Sequence, residues 1–366
     1  MAARIVLFGA TGYTGRLTAA AMVARGDRPV LAARSREKVE AMAAELGGLE
    51  SAVADVSDPA SVRALLEPGD VIVATVGPFV RWGDPAAQAA IAAPGWYLDS
   101  TGEPAFIRRV FEEFGPRAEA AGAGLITAFG YDWVPGNLAG ALALKDAGEE
   151  ATRVDVGYFT TGGGLGGMSG GTRASALGAM LEPSYSWRDG AVRPERGAKR
   201  VRSFTAAGKE RQAISVGASE HFTLPRVFPQ LEQVDVYLGW FGRRSRAMQK
   251  IGAVNAAVTA VPGVRSALRA ATGRLVKGST GGPSEEDRRG TGSVAVAIAS
   301  SRSGEELARA EVHGPNGYEL TARMLAWGAG HAADHGMLAA GALGPVEAFG
   351  FDGFVAGCAE AGLKRV

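Results

Sequence analysis

Gly9, Gly12 and Gly15 stand three residues apart directly after the apolar run Arg4-Ile5-Val6-Leu7-Phe8. An Ala-rich stretch from Arg16 to Arg25 follows and reads as a helix. Strand, glycine turn and helix together form a corner that binds phosphates. Gly9 lets the chain turn off the strand. Gly12 has no Cβ to hold a pyrophosphate away, and Gly15 lets helix and strand pack closely. The helix N-terminus adds free N–H groups and a partial positive charge. The set Gly9, Thr11, Gly12, Tyr13, Thr14 and Gly15 is therefore the candidate contact surface for a dinucleotide. The spacing is GxxGxxG and not GxGxxG, so a βα turn without a nucleotide is the competing reading.

Further residues extend this chemistry. Arg34 and Ser35 follow the apolar run Pro29–Ala33. An acid at that strand end suits a ribose 2′-OH, whereas an arginine suits a 2′-phosphate, so NADPH is the expected cofactor. The alternative is a solvated charge cluster opening a helix over 37–46. Asp55 and Val56 end a third short strand. Asp55 could accept from an adenine amino group or cap the helix that starts near Pro59. Val76, Gly77 and Pro78 end the clearest later strand and are placed near the nicotinamide ribose. The loop Phe129–Gly136 follows another strand and holds Tyr131 and Asp132, the candidate proton donors. Capping by Asp132 of the helix near Pro135 is the alternative. Tyr158 and Tyr318 are weaker candidates, and protonation by water is a further route. No Tyr-x-x-x-Lys pair stands where a short-chain dehydrogenase would carry one.

The elements that must position these residues alternate. Strands over 51–56, 70–76, 95–99 and 124–128 are separated by helices over 82–93 and 106–121. That alternation predicts an α/β Rossmann domain with a doubly wound parallel sheet over residues 1–150. A second α+β domain with a mostly antiparallel sheet is expected over 151–335. It includes a strand over 153–160, strands over 215–223 and 233–240, and a strand pair over 292–299 and 308–313. His221 falls in the strand 215–223 and reads as structural. Residues 182–212 lack a clear period and read as an exposed loop. The glycine-dense stretch 162–172 and the helix 173–181 after it read as a lid or a linker. A helix is expected over 318–329, and another over 346–360 that packs back on the first domain within a C-terminal segment 336–366.

The chain has 366 residues, suited to two domains, and is 46% hydrophobic and 21% charged, an ordinary globular composition. Its one cysteine, Cys358, excludes an internal disulfide and a cysteine metal site, and no metal is expected. A reducing, cytoplasmic setting is expected, with no signal peptide and no membrane span. The net charge of +1 hides an asymmetry: residues 1–150 carry 13 Lys/Arg against 19 Asp/Glu, and the remainder carry 26 against 19. Val236 to Ser284 holds no acid and eight bases, among them Arg243, Arg244, Arg246 and Lys250. A helix over 244–261, with Met248, Ile251, Val254 and Val258 on one face, and a basic stretch 264–276 carry that charge. A core helix with a solvated rim, a face for an acidic carrier protein, and a peripheral membrane contact all fit it. No nucleic-acid partner is expected, and a homodimer through an exposed sheet stays open.

The glycine corner Gly9–Gly15 resembles that of saccharopine dehydrogenase-like oxidoreductases. So do Ala33-Arg34-Ser35, Val76-Gly77-Pro78-Phe79, the run Tyr97–Glu103 and the loop Phe129–Gly136. Ser169–Ser175, Gly282-Pro283-Ser284, Gly317–Ala322 and Leu343-Gly344-Pro345 are similar to the trans-acting enoyl reductase subgroup. The resemblance implies an NADP(H)-dependent reductase with a Rossmann domain and an inserted substrate domain. It further implies reduction of a C=C bond on a polyketide or fatty-acyl chain held by a carrier protein or synthase. The substrate arginines of the saccharopine enzymes have no mapped counterpart here, which argues against lysine metabolism. An imine or ketone reductase of a small natural product is the alternative enzyme. A non-catalytic nucleotide- or lipid-binding protein is the alternative from another class.

Overall fold

The computed structural model describes residues 3–162, 184–259 and 281–366, without the side chains of 255–259. The expected lid or linker over 162–172, the helix 173–181 and the basic stretch 264–276 lie outside these residues, apart from Gly162. The chain forms two compact units. The first comprises Met1–Gly102, Phe106–Val134 and Gly317–Gly362; the second comprises Glu103–Ala105, Pro135–Asn316 and Leu363–Val366. The first unit thus ends its opening stretch at Val134, not at 150. It also takes in the helix Gly317–His335, which the sequence reading placed in the second domain.

In the first unit the strands are β1 (Ile5–Phe8), β2 (Val30–Ala33), β3 (Ser51–Val53), β4 (Val71–Ala74), β5 (Trp96–Asp99) and β6 (Gly124–Ile126). All pair in parallel, in the order β6-β5-β4-β1-β2-β3, and the two-residue strand Gly341–Ala342 adds to β6. Val6, Leu7, Val71, Ile72, Val73 and Leu98 are fully buried, because helices cover both faces of such a sheet. The carboxyl ends of all six strands open on one edge, with the order reversing between β1 and β4, and ligands of this fold bind there. Helix α1 (Tyr13–Arg25) follows β1 and ends at Gly26, whose φ of 95° closes the last turn. The expected helix 106–121 is three pieces: Pro104–Arg109, a π turn Val110–Phe114, and Gly115–Ala121. Pro116 cannot donate to a preceding carbonyl, which accounts for the widened turn before it. The expected helix 346–360 breaks at Gly350, φ 72°, into Pro345–Phe349 and Phe351–Glu360.

The second unit is built on a mixed sheet. Its strands include β7 (Arg153–Thr161), β8 (Ser184–Arg188), β9 (Ala191–Glu195), β10 (Val201–Ala206), β11 (Lys209–Val216) and β12 (Gln233–Leu238). Gly292–Ser300 and Glu306–Gly314 form a hairpin against β7, and among the described strands of this second sheet only β7 and β12 pair in parallel. Residues 184–212 are therefore sheet and not loop. Their arginines face carboxylates on neighbouring strands: Arg188 and Arg200 each reach buried Asp235 at 2.6 Å, and Arg202 pairs with buried Asp155. Charge that reads as solvation is internal pairing here. The strand expected over 215–223 ends at Val216, and His221 lies on the helix Glu220–Val227.

Candidate active site

The glycine corner folds as the sequence reading expects. Gly9 has φ 89° and its N–H donates to the Ala32 carbonyl at 2.9 Å. A Cβ there would lie 2.7 Å from Thr75 Oγ1. Gly12 N–H donates to the Gly9 carbonyl at 3.0 Å, and Gly12 stands in extended conformation as the N-cap of α1. A Cβ on Gly15 would come within 2.2 Å of the Gly9 carbonyl oxygen, so no side chain fits. The corner therefore presents backbone and the first turn of a 13-residue helix, a surface suited to an anion. Thr11, Gly12, Tyr13 and Thr14 are half-buried along it.

Arg34 is exposed and makes no hydrogen bond or ion pair among the described residues. Ser35 precedes the helix Arg36–Glu45 without a side-chain capping bond. Asp55 accepts from Ser57 N–H at 2.8 Å and from Ser57 Oγ–H at 2.7 Å. Those bonds, aided by the Arg34 charge, hold its carboxyl below the usual range. Capping of the next helix falls to Asp58, which accepts from Ala60 N–H at 3.1 Å. Val56, Val76, Gly77 and Pro78 are half-buried, and Gly77-Pro78 is a cis peptide.

The loop after β6 is organised by Asp99, buried at the end of β5. Its carboxylate accepts from Thr101 N–H at 2.8 Å, Thr127 Oγ–H at 2.7 Å and Ala128 N–H at 2.9 Å. Ala128 takes φ 61°, a conformation that a non-glycine residue keeps only when neighbours hold it. Burial pushes the Asp99 carboxyl up to about 6, and those hydrogen bonds oppose the rise.

Tyr131 and Asp132 follow. Tyr131 N–H donates to Thr321 Oγ1 at 2.9 Å, and that hydroxyl donates to the Gly317 carbonyl at 2.8 Å. A Cβ on Gly317 would lie 3.0 Å from Tyr131 Cγ. Tyr318 in the same turn packs edge-on against Tyr13 of the glycine corner, with ring centroids 5.1 Å apart. One helix turn thus touches both halves of the candidate site. Asp132 is half-buried as a residue, but its Oδ1 is enclosed without a hydrogen-bond partner. Its Oδ2 would lie 2.8 Å from a Cβ on Gly102. Burial alone pushes its carboxyl up to about 7. Its Oδ1 therefore caps no N–H of the helix that begins at Val134.

Tyr158, a weaker candidate, and His221, which reads as structural, both have internal roles within the second unit. Tyr158 is fully buried; its hydroxyl donates to Glu220 Oε1 at 2.5 Å and accepts from Gly136 N–H at 2.8 Å. His221 is buried beside Tyr185, and burial lowers its ring to about 4, so it stays neutral. Asp99 and Thr321 were not singled out from sequence. Asp99 had one usable signal, an acid ending a buried strand. Thr321 lies in the run Gly317–Ala322 that carries the resemblance, but nothing local links it to Tyr131, 190 residues away. Among the described residues no group of three or more His, Cys, Asp or Glu is placed to hold a metal.

Residues 9–94 match the family model described as NAD(P)H-binding. A Mycobacterium tuberculosis protein provisionally named a trans-acting enoyl reductase is 40% identical over 183 residues, which span 47% of this chain and 43% of that protein. The trans-acting enoyl reductase of Mycobacterium ulcerans is 36% identical over 154 residues, 40% of this chain and 37% of the relative. The matches thus span less than half the length of these relatives. The solved apo saccharopine dehydrogenase (L-Glu forming) of Saccharomyces cerevisiae superposes over 100% of this chain and 99% of its own, with a TM-score of 0.59 and 14% identity. The chain therefore carries an NAD(P)H-binding domain over residues 9–94, has the fold of saccharopine dehydrogenase, and is similar in sequence to trans-acting enoyl reductases.

Proposed function

We propose that the protein is an NADPH-dependent reductase that saturates a C=C bond conjugated to the carbonyl of a polyketide or fatty-acyl intermediate. The observation that carries this reading is the enclosed carboxyl of Asp132, on the strand-end edge that also holds the glycine corner. The residues present fit the cofactor. Gly9 and Gly15 let the turn and the helix pack directly on the strand, which leaves the Gly12 backbone and the first turn of α1 as the surface for a pyrophosphate, and exposed Arg34 stands where a 2′-phosphate is expected. When bound, reduced nicotinamide supplies a hydride. Asp132 holds a proton near neutral pH, because an enclosed carboxylate without donors is disfavoured. Hydride addition at the β-carbon of an enoyl thioester leaves electron density on the α-carbon and carbonyl oxygen. Asp132 would give its proton to the α-carbon and finish as carboxylate. The packing of Tyr131 against Gly317, and the bond from its N–H to Thr321, keep the loop in place. The relatives' description as trans-acting supports a substrate presented on a separate carrier protein or synthase. A homodimer is proposed through the outer edge of β10, which pairs with β11 alone among the described strands.

The test is a fluorescence titration with NADPH and with NADH, followed by turnover of 2-enoyl thioesters monitored by product mass. The proposal expects preference for NADPH and gain of two hydrogens across C=C. Turnover of only imine or ketone substrates would move the protein to the alternative enzyme class. Tight NADPH binding with no oxidation by any acceptor would make it a binding protein.

A further inference from the structure

We propose that the outward face of the helix Ser245–Thr259, with the turn Gly242–Arg244 before it, docks on an anionic lipid bilayer. The inward face is fixed by contacts within the second unit. Ser245 is buried and its Oγ–H donates to the Gln212 carbonyl at 3.3 Å. Gln249 Nε2 donates to the Lys199 carbonyl at 2.8 Å, and its own carbonyl accepts from Arg196 Nη1 at 3.3 Å. Gly252 approaches so closely that a Cβ would lie 3.1 Å from the Gly197 carbonyl oxygen. Positions 245, 249 and 252 follow the helical period and so define one side.

The opposite side is uncovered among the described residues. Ile251 is 57% and Val254 65% exposed, and Ala247 is exposed beside them. At 100° per residue these three fall within about 60° of each other and run as a ridge along the axis. Arg246 and Lys250 flank the ridge on one side, and Arg243 and Arg244 stand at its N-terminal end; all four are exposed. No acid occurs from Val236 to Ser284 to neutralise them. An apolar strip edged by cations lies in the plane of a bilayer, with the strip among acyl chains and the cations at the headgroup phosphates. An exposed ridge of Ala247, Ile251 and Val254 fits a fluid surface without a complementary groove. Charge complementarity fixes the sign of that surface as negative. A docked molecule would stand where lipid-linked acyl chains are abundant, but the surface is inferred from this helix alone and does not depend on the reductase reading.

The experiment is sedimentation of the full-length protein with vesicles of phosphatidylcholine alone and of phosphatidylcholine with phosphatidylglycerol, at low and high salt. Binding to the anionic vesicles only, weakened by salt, is expected. Replacing Arg243, Arg244 and Arg246 together by Gln should weaken it about 100-fold, at about fivefold per cation near the surface. Ile251→Ser with Val254→Ser should weaken it about tenfold at unchanged charge. Each variant should keep the parent melting temperature, and the parent's own salt dependence stands as a test that needs no variant. Equal binding to neutral vesicles, or indifference to the three arginines, overturns the proposal. Indifference to the Ile251 and Val254 changes overturns insertion of the ridge. Binding to an acidic carrier protein through the same arginines, with none to vesicles, assigns the face to a protein partner instead.

Discussion

Burial of the Asp132 carboxyl has two consequences that separate experimentally. Its folded-state value, about 7, lies above that of an exposed aspartate. The native state therefore binds this proton more tightly than the unfolded chain does. The stability it contributes is fully present below the unfolded value of about 4 and is lost as pH rises through about 7. At pH 8 the enclosed charge is a net cost, so Asp132→Asn should raise stability there by about 2 kcal/mol and change little at pH 4. Denaturant melts at the two pH values measure this; equal effects at both would contradict the assigned environment. The same substitution removes the proposed acid and should lower kcat by about 100-fold, while NADPH affinity stays level. In the parent, kcat should fall as pH rises through about 7, in step with loss of that proton. Arg34 is the second residue whose role can be isolated, because it makes no hydrogen bond or ion pair among the described residues and acts internally only through its charge on Asp55. Arg34→Asp should weaken NADPH binding about 100-fold and leave NADH binding unchanged or improved, measured by titration. Both positions were legible from sequence, since each stands at a strand's carboxyl end in a unit whose topology assigns that place a use. Glu220 was not, because nothing local says that a helix in the second unit will turn its carboxylate onto Tyr158.

The first turn of the helix Gly317–His335 matters more than its own chemistry suggests. It carries Thr321 under the Tyr131 amide and Tyr318 against Tyr13, and so links the loop that holds Tyr131 and Asp132 to the glycine corner. Thr321→Val keeps the shape but cannot accept from Tyr131 N–H. A cost of about 1 kcal/mol in stability is expected. A displaced loop should cut kcat about tenfold with NADPH affinity unchanged. Thr321→Ser should restore the rate, which a packing defect alone would not allow. The glycine corner gives a sharper case. In Gly15→Ala the added methyl meets backbone oxygen and not a movable side chain, so α1 must shift off β1. Nucleotide titration should show binding lost, with melting lowered by several degrees. The parallel strands were readable because buried strands present continuous apolar runs bounded by glycine and turn residues. Strands β8 to β11 were not, because Arg188, Arg200 and Arg202 interrupt the apolar pattern while serving as internal partners of Asp235 and Asp155. Local sequence reports charge but not what the charge will face.

At the scale of the whole chain, sequence order and structural unit diverge. The reading of 1–150 as a nucleotide-binding domain follows from the run of βα units, and it captures every strand of the first sheet but one. The missing strand, Gly341–Ala342, pairs with β6 from more than 200 residues away. The helix Gly317–His335 is missing too. It packs on α1, β4 and β5 and buries Leu320, Met324, Leu325 and Trp327. A polypeptide of residues 1–150 would expose the apolar faces that this helix covers. It would also lack Thr321 under Tyr131 and Tyr318 against Tyr13. The burial of these four side chains, about 1.5–3 kcal/mol each, is lost with the helix and amounts to the whole stability of a typical domain. The fragment 1–150 should therefore aggregate or bind NADPH far more weakly than the intact chain. Joining residues 317–362 to residue 134 through a flexible glycine-serine linker should recover a folded, nucleotide-binding unit. Circular dichroism and NADPH titration of the two polypeptides decide the matter. Full affinity in the 1–150 fragment would mean that the C-terminal segment is an accessory to the nucleotide-binding fold, and that the link through Thr321 and Tyr318 serves only the loop that holds Tyr131 and Asp132.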